Sequence, residues 1–306
     1  MPPRALGSVS LLSSPTPCSG QTCYVVQASC PSVVQAGSAT LKVGAPAGQP
    51  ERGTIVFATG FTGTQLWENR SADAARILGE LQTAGFRTVQ LQWASNWYLG
   101  ASGQLEGEAR LACKPASVVR WVYDNLHTQG PDKAFCMEGH SNGASQAAYA
   151  LTQYGLAAIL ANVVLESGPN FARLDEGCLR DDPAYQALWY SLNNRSNVDW
   201  GFGFPNNGTG PCARGDTTFR SAFQQASVAF GNWPYVYPRT MVHFLFGSTD
   251  ITATAGHGMF YHDVLAQAGT PLLALDIVPN APHDTVSTPQ GANMIRDAFL
   301  NECIPR

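Results

Sequence analysis

Three residues whose types suit acyl transfer stand far apart in the chain: Ser141, Asp250 and His283. Ser141 lies in the segment GHSNG at 139–143, which follows the apolar run 134–137 after one intervening residue. A serine hydroxyl is a weak nucleophile unless a base takes its proton and an acid orients that base. The flanking glycines predict a cramped strand-to-helix turn, because a Cβ at either position would collide with neighbouring backbone. The pattern therefore predicts Ser141 at the tip of a sharp turn, above the positive end of a helix.

Alternating strand-like and helix-like segments predict an α/β fold with a mostly parallel central sheet and helices on both faces. The carboxyl ends of such strands carry the functional loops. Ser141, Asp250 and His283 each follow a predicted strand, so we expect them to share one edge of the sheet. The predicted strands are 23–30, 39–44, 54–58, 86–93, 134–138, 160–166, 240–246 and 272–278, and the predicted helices are 71–81, 106–127, 142–154, 257–268 and 289–300.

With serine, acid and histidine in this order, the chain resembles serine esterases of the α/β-hydrolase superfamily over roughly residues 50–303. Lipases, cutinase-like polyesterases and carboxylesterases all fit, and no subfamily is assigned. The resemblance implies that Ser141 is the nucleophile, His283 the base and Asp250 the acid, with no cofactor and no metal. Glu166, at the end of the strand 160–166, is an alternative acid, because some relatives of this fold carry the acid there.

The same resemblance implies an oxyanion hole made of two backbone N–H groups. One belongs to Asn142, directly after the nucleophile. The other is expected from the loop that follows the strand 54–58, where Phe61 is the preferred donor and Thr62 the next choice. The His-Gly-Gly run of lipase-type sequences does not occur in this loop, so the second donor stays open.

The segment 170–238 is dense in aromatic residues and has no clear strand, which predicts a cap or lid inserted after a strand. Its aromatic side chains either form a small core of their own or line an apolar substrate cleft. We expect residues 18–306 to form one domain that includes this insertion, and the Pro- and Ser-rich residues 1–17 to be a flexible tail. The residues expected to contact substrate are Phe61, Thr62, Trp189, Trp200 and Trp233.

Composition excludes some classes of partner. The formal net charge is −4 and Lys and Arg form no cluster, which argues against nucleic acid. No stretch approaches the ~20 apolar residues that span a bilayer. The eight cysteines include no C-x-x-C pair, so a zinc site is not expected.

The even number of scattered cysteines is typical of disulfides in a secreted or periplasmic protein, with buried thiols in a cytosolic enzyme as the alternative. Cys23 and Cys30 stand at opposite ends of one predicted strand, so they should not bond to each other. The other pairings stay open.

The leading hypothesis is a secreted hydrolase that cleaves apolar or aromatic carboxylic esters, either small or polymeric. The alternatives are a polyester depolymerase with an open aromatic cleft, a serine peptidase, and a catalytically silent binding protein on the same scaffold. The oligomeric state is not predicted.

Overall fold

The computed structural model describes residues 1–47 and 50–306, in which ten strands form one mixed sheet. The strands are β1 (Ser8–Leu11), β2 (Thr16–Cys18), β3 (Gln21–Ser29), β4 (Gly37–Gly44), β5 (Gly53–Ala58), β6 (Phe86–Trp93), β7 (Ala134–His140), β8 (Asn162–Glu166), β9 (Met241–Gly247) and β10 (Leu273–Val278). Their spatial order is β1-β3-β4-β6-β5-β7-β8-β9-β10, and β2 also pairs with β3.

The strands from β6 to β10 in this order run parallel, whereas β1 to β4 join the sheet in antiparallel pairs. The prediction of a mostly parallel central sheet is confirmed. Every residue of β5 and β8 is buried, as expected for strands that helices cover on both faces.

Helices pack on both faces of the sheet and enclose two apolar clusters. One cluster lies under α1 and α10 and includes Ile77 and Phe299, and the other lies under α3, α4 and α9 and includes Val119 and Tyr261. The helices are α1 (Ala72–Thr83), α2 (Glu108–Leu111), α3 (Cys113–Asn125), α4 (Asn142–Thr152), α5 (Leu174–Leu179), α6 (Leu192–Asp199), α7 (Pro211–Arg214), α8 (Arg220–Ala226), α9 (Ala253–Ala268) and α10 (Pro289–Glu302).

The helix predicted over 106–127 is in fact two helices, α2 and α3, that meet at Ala112. Pro115 explains the break, because proline has no N–H to donate to the carbonyl of the preceding turn and is tolerated only in the first turn of a helix. Pro115 accordingly lies in the first turn of α3.

Residues 1–17 are not a tail outside the fold. Residues Ser8–Leu11 pair with the end of β3, and Thr16–Cys18 pairs with its beginning. The backbone N–H of Gly7 also donates to Ser117 Oγ on α3 at 2.7 Å. These edge strands are held by backbone hydrogen bonds, so the Pro- and Ser-rich composition did not reveal them.

All eight cysteines form disulfides: Cys18–Cys23, Cys30–Cys113, Cys136–Cys303 and Cys178–Cys212. The prediction that Cys23 and Cys30 do not pair is confirmed. Cys136–Cys303 joins the strand before Ser141 to the residue that follows α10.

The insertion 170–238 lies between β8 and β9 and contains the helices α5 to α8. The disulfide Cys178–Cys212 joins α5 to α7. Phe202 and Phe223 are buried and pack edge to face, with ring centroids 5.2 Å apart. Part of the aromatic content therefore makes a small core within the insertion. None of the helices in the described residues is long and apolar enough to cross a membrane.

Candidate active site

Ser141 occupies the single residue between β7 and α4, with φ 55° and ψ −116°. A Cβ on Gly139 would meet the backbone of Gly143, and a Cβ on Gly143 would meet the carbonyl of Ala58. Both glycines are therefore required by close backbone approach, as predicted from the sequence. Backbone strain of this kind persists only where surrounding structure holds it, and it presents the serine above the N-terminus of α4.

His283 and Asp250 meet at the same edge of the sheet, on the loops that follow β10 and β9. The Nδ1 atom of His283 lies 2.7 Å from Oδ2 of Asp250, whose side chain is fully buried. Thr252 donates to the other carboxylate oxygen through its backbone N–H and its hydroxyl. Burial acts to raise the pKa of Asp250, but the hydrogen bonds from His283 and Thr252 outweigh it, and the pKa is lowered. Asp250 is therefore ionised at neutral pH.

Ser141 and His283 line one cleft of 470 Å³. Ser141 Oγ accepts a hydrogen bond of 3.4 Å from Asn170 Nδ2, and within the described residues it makes none to His283. Hydrogen bonds between a nucleophile and its base often form only once substrate is bound. We expect the contact between Ser141 and His283 to form in that way.

Two backbone N–H groups near Ser141 are free to bind an oxyanion. Across the described ranges, the N–H groups of Asn142 and Phe61 donate to no protein acceptor. The side chain of Asn142 donates to the carbonyl of Phe61 at 3.0 Å and so fixes the loop after β5 against the turn. Gly60 lies so close to this turn that a Cβ there would be 3.0 Å from Ser141 Cβ. This arrangement suits the predicted oxyanion hole.

Thr62, the second choice for the oxyanion donor and an expected substrate contact, is not among the residues that line the cleft. Its hydroxyl pairs with Thr64 Oγ1 at 2.9 Å, and its carbonyl accepts from the N–H of Trp97. Phe61 does line the cleft, with 55% of its surface exposed.

The cleft is mixed in character rather than apolar. Its wall combines aromatic rings with amide and hydroxyl side chains. Its aromatic residues are Phe61, Tyr98, Phe171 and Tyr190, and its amide side chains are Gln65, Asn142, Asn170, Asn194 and Asn197.

The three tryptophans expected in the cleft lie elsewhere. Trp200 packs behind two lining residues, with its ring centroid 6.0 Å from Phe61 and 6.1 Å from Tyr98. Trp189 lines a neighbouring groove. Trp233 packs against the N-terminal segment, where Arg4 lies 5.4 Å over its ring. The spacing of the aromatic residues in the sequence showed their density but not the direction of each side chain.

An ionic cluster centred on Arg70 borders the cleft, which Arg70 and Asp284 help to line, and no signal in the sequence pointed to Arg70. Its guanidinium binds Glu166 at 2.7 Å and Asp284 at 2.5 Å. Glu166 also accepts from the hydroxyl of Thr285 and from the N–H of Val286. Glu166 is thus fully engaged with Arg70 and the loop after His283, and not with His283 itself.

The charges in this cluster are set by burial and by Arg70. Burial acts to raise the pKa of Glu166, but the charge of Arg70 lowers it far below its usual range. Burial and the charge of Glu166 raise the pKa of Glu138. Burial and the charge of Arg70 lower the pKa of His140 to about 3. At neutral pH, Glu166 is therefore ionised and His140 is neutral.

His140, Glu166 and Asp284 each offer a ligand atom, and these atoms lie within 4.8 Å of one another. The side chain of Arg70 already supplies the cation for both carboxylates. The cluster is thus explained by an internal ion pair, and a metal ion would have to displace that pair.

We expect Arg70→Met to lower the free energy of unfolding by about 3–5 kcal/mol, because it leaves the buried charge of Glu166 unpaired. Urea denaturation at pH 7 measures this. Arg76→Met is the matched control, since Arg76 is part-exposed in its pairs with Asp73 and Glu80 and should cost less than about 1 kcal/mol.

Measuring the free energy of unfolding over a series of pH values makes this test more specific. The lowered pKa of Glu166 makes the ion pair stabilising above the ordinary glutamate pKa of 4.5, and this contribution is lost as the pH falls further. The stability difference between wild type and Arg70→Met should therefore narrow below that pH. A loss equal to that of Arg76→Met at every pH would contradict the role given to Arg70.

Comparison with solved structures found chains of similar fold at low sequence identity. A thermostable carboxyl esterase from Bacillus coagulans matches with 15% identity over 91% of this chain and 96% of its own, at a TM-score of 0.56. Acetyl xylan esterase 1 from a Thermoanaerobacterium species matches with 15% identity over 97% and 88%, at a TM-score of 0.54.

A third match is the acylaminoacyl peptidase of Pyrococcus horikoshii, with 9% identity over 98% of this chain and 50% of the peptidase, at a TM-score of 0.52. No family model matches the sequence, and no curated protein matches it. At these identities the similarity shows the fold alone.

Proposed function

We propose that this chain, whose fold is that of the α/β-hydrolases, is a serine hydrolase of carboxylic esters. The observation that carries the proposal is the arrangement around one cleft: Ser141 on a strained turn, a hydrogen-bonded pair of His283 and Asp250, and two free backbone N–H groups. Each component that acyl transfer needs is present at the carboxyl edge of the sheet.

In the proposed reaction, Ser141 Oγ attacks the ester carbonyl carbon while Nε2 of His283 takes the hydroxyl proton. The carbonyl electron pair moves to oxygen, where the N–H groups of Asn142 and Phe61 stabilise it. The intermediate collapses, the bond from carbon to the alcohol oxygen breaks, and His283 gives its proton to the departing alcohol. Asp250 holds neutral His283 in the tautomer with the proton on Nδ1, and it stabilises the imidazolium that forms when Nε2 takes the second proton.

The acyl group is then attached to Ser141. Water attacks this acyl-enzyme as His283 takes a proton from the water, and the second collapse returns the proton to Ser141 and releases the carboxylic acid. The overall reaction consumes one ester and one water and uses no redox partner.

The substrate class follows from the wall of the cleft. Phe61, Tyr98, Phe171 and Tyr190 suit an apolar or aromatic part of an ester. The amide side chains add hydrogen-bonding capacity that a purely apolar substrate would leave unused. The Bacillus and Thermoanaerobacterium proteins of similar fold are esterases, which supports ester rather than amide hydrolysis.

We place the protein outside the reducing cytosol. All of its cysteines are paired in four disulfides, which persist in oxidising compartments. A secreted or periplasmic location accounts for this pairing.

Labelling with a fluorophosphonate tests the proposed site. The reagent phosphonylates an activated serine and releases fluoride, so we expect the adduct on the peptide that contains Ser141. Peptide mass spectrometry after digestion locates it. Denatured protein is the control, since the same serine should not react once the turn is lost. Labelling at a different serine, or at none, would remove Ser141 from its proposed role.

A further inference from the structure

A second groove of 360 Å³ adjoins the active-site cleft, and we call it the side groove. It shares Tyr190, Asn194 and Thr252 with the cleft, and it continues past Trp189 and Ile251 to Arg180. The two spaces therefore share part of one wall, which puts the side groove next to the active-site cleft.

The guanidinium group of Arg180 is oriented, and among the described residues it has free N–H donors for an anion. Its guanidinium carbon lies 5.1 Å from the centroid of the Trp189 ring, a stacking contact that orients the planar group and uses none of its N–H donors. Within the described part of the chain, Arg180 has no ion pair and no side-chain hydrogen bond. The neighbouring carboxylates are engaged, since Asp181 pairs with Arg220 and Asp182 accepts from the N–H of Ala184.

Arg195 adds a second positive charge next to Arg180. It follows Asn194, which lines both spaces, and its Nε atom is buried without a partner among the described residues. Burial, and then the charge of Arg180, lower the pKa of Arg195. The nearby carboxylate of Asp199 accepts instead from the N–H groups of Cys212 and Ala213.

The side groove adjoins the pair of His283 and Asp250 at Thr252. His283 has to deliver its proton to the alcohol oxygen, so that oxygen must face His283. Asp250 binds His283, and Thr252 binds Asp250 with its hydroxyl at 2.7 Å. Thr252 also lines the side groove, so the groove borders the residues that deliver the proton to the alcohol.

We propose that the side groove binds a carboxylate carried by the alcohol part of the substrate, with Arg180 as the main contact and Arg195 as the second charge. This inference rests on the proposed ester hydrolysis and narrows its substrates to acyl esters of hydroxy acids. The planar fork of Arg180 matches a carboxylate, and the stacking on Trp189 lowers the entropic cost of binding it.

The test compares two esters that differ only at the far end of the alcohol: ω-(butyryloxy)alkanoates and the corresponding ω-(butyryloxy)alkanamides, in a series of chain lengths. Release of butyrate gives kcat/KM for each. At the best chain length, we expect the kcat/KM of wild type to be about tenfold higher for the carboxylate ester than for the amide ester, because hydrogen bonds between charged groups are stronger than those to a neutral amide. The difference should lie mainly in KM, since the contact is remote from the reacting carbonyl. The preference should weaken at high salt.

In Arg180→Gln the ratio between the two esters should fall close to one, and in Arg195→Gln it should fall part of the way. Arg239→Gln is the matched control, since Arg239 lines a pocket among residues of the opposite edge of the sheet and should leave the ratio unchanged. A ratio near one in wild type at every length, or a ratio unchanged in Arg180→Gln, overturns the inference and leaves ester hydrolysis standing.

If neither ester is hydrolysed, calorimetric binding of the same two compounds to the Ser141→Ala protein decides about the groove, and the proposed function fails only if nitrophenyl esters are not hydrolysed either. If the carboxylate compound binds more tightly than the amide compound, and this difference is lost when Arg180→Gln is added, the side groove binds carboxylates even though the protein does not hydrolyse these esters. Equal binding of the two compounds overturns it.

Discussion

Replacing Ser141 with alanine is expected to lower kcat for hydrolysis of nitrophenyl esters by about 10⁴–10⁶-fold. The substitution removes the atom that forms the acyl-enzyme, so only the oxyanion donors and the binding cleft can still assist attack by water. Chromogenic esters with short and long acyl chains measure the loss, and they also show which acyl length the cleft accepts.

Ser221→Ala is the matched control, because Ser221 is exposed on α8 and its hydroxyl contacts only Gln225 among the described residues. Both variants should keep the wild-type circular dichroism and unfolding midpoint. If Ser141→Ala hydrolysed the esters as fast as Ser221→Ala, Ser141 would not be the nucleophile and the proposed function would be wrong.

The parallel core of the sheet and the turn at Ser141 were predictable because their causes are local. Short β-branched runs between glycines and helical segments predict buried strands, and β6 has the predicted limits of Phe86 and Trp93. The glycines at 139 and 143 predict a cramped turn for a steric reason that needs no knowledge of distant residues. The structure has both features.

Other features depend on contacts between distant segments, which the sequence does not display. The strand at Ser8–Leu11 is defined by its pairing with residues 26–29, not by its own composition. Trp233 faces away from the cleft because the segment that carries it packs on the N-terminal residues. A single arginine such as Arg70 has no motif, and its partners Glu166 and Asp284 come from the end of β8 and from the loop after β10.

The choice between Asp250 and Glu166 shows how geometry goes beyond the sequence pattern. Asp250 follows a strand and Glu166 ends one at the carboxyl edge of the sheet, so the sequence left both as candidates for the acid. In the structure Asp250 contacts His283, and Glu166 contacts Arg70. Glu166 nevertheless serves the site, because its backbone carbonyl accepts the N–H of Ser141 at 2.8 Å.

Asp250→Asn is therefore expected to lower kcat by about 10⁴-fold with little change in fold. The carboxylate accepts the Nδ1–H of His283 and leaves Nε2 free to take a proton. An amide in the same place can donate to Nδ1 and so favours the tautomer in which Nε2 already carries its proton. That tautomer cannot act as the base, so the rate of fluorophosphonate labelling at Ser141 should fall together with kcat.

Glu166→Gln is the matched variant, since it also replaces a buried carboxylate by an isosteric amide. It removes the anion that Arg70 pairs with, so we expect a loss in the free energy of unfolding and a kcat per folded molecule close to wild type. Denaturation and kcat measured on the same preparations separate the two effects. If Glu166→Gln alone lost kcat while it remained folded, the acid would be Glu166, and the contact between Asp250 and His283 would only position the loop.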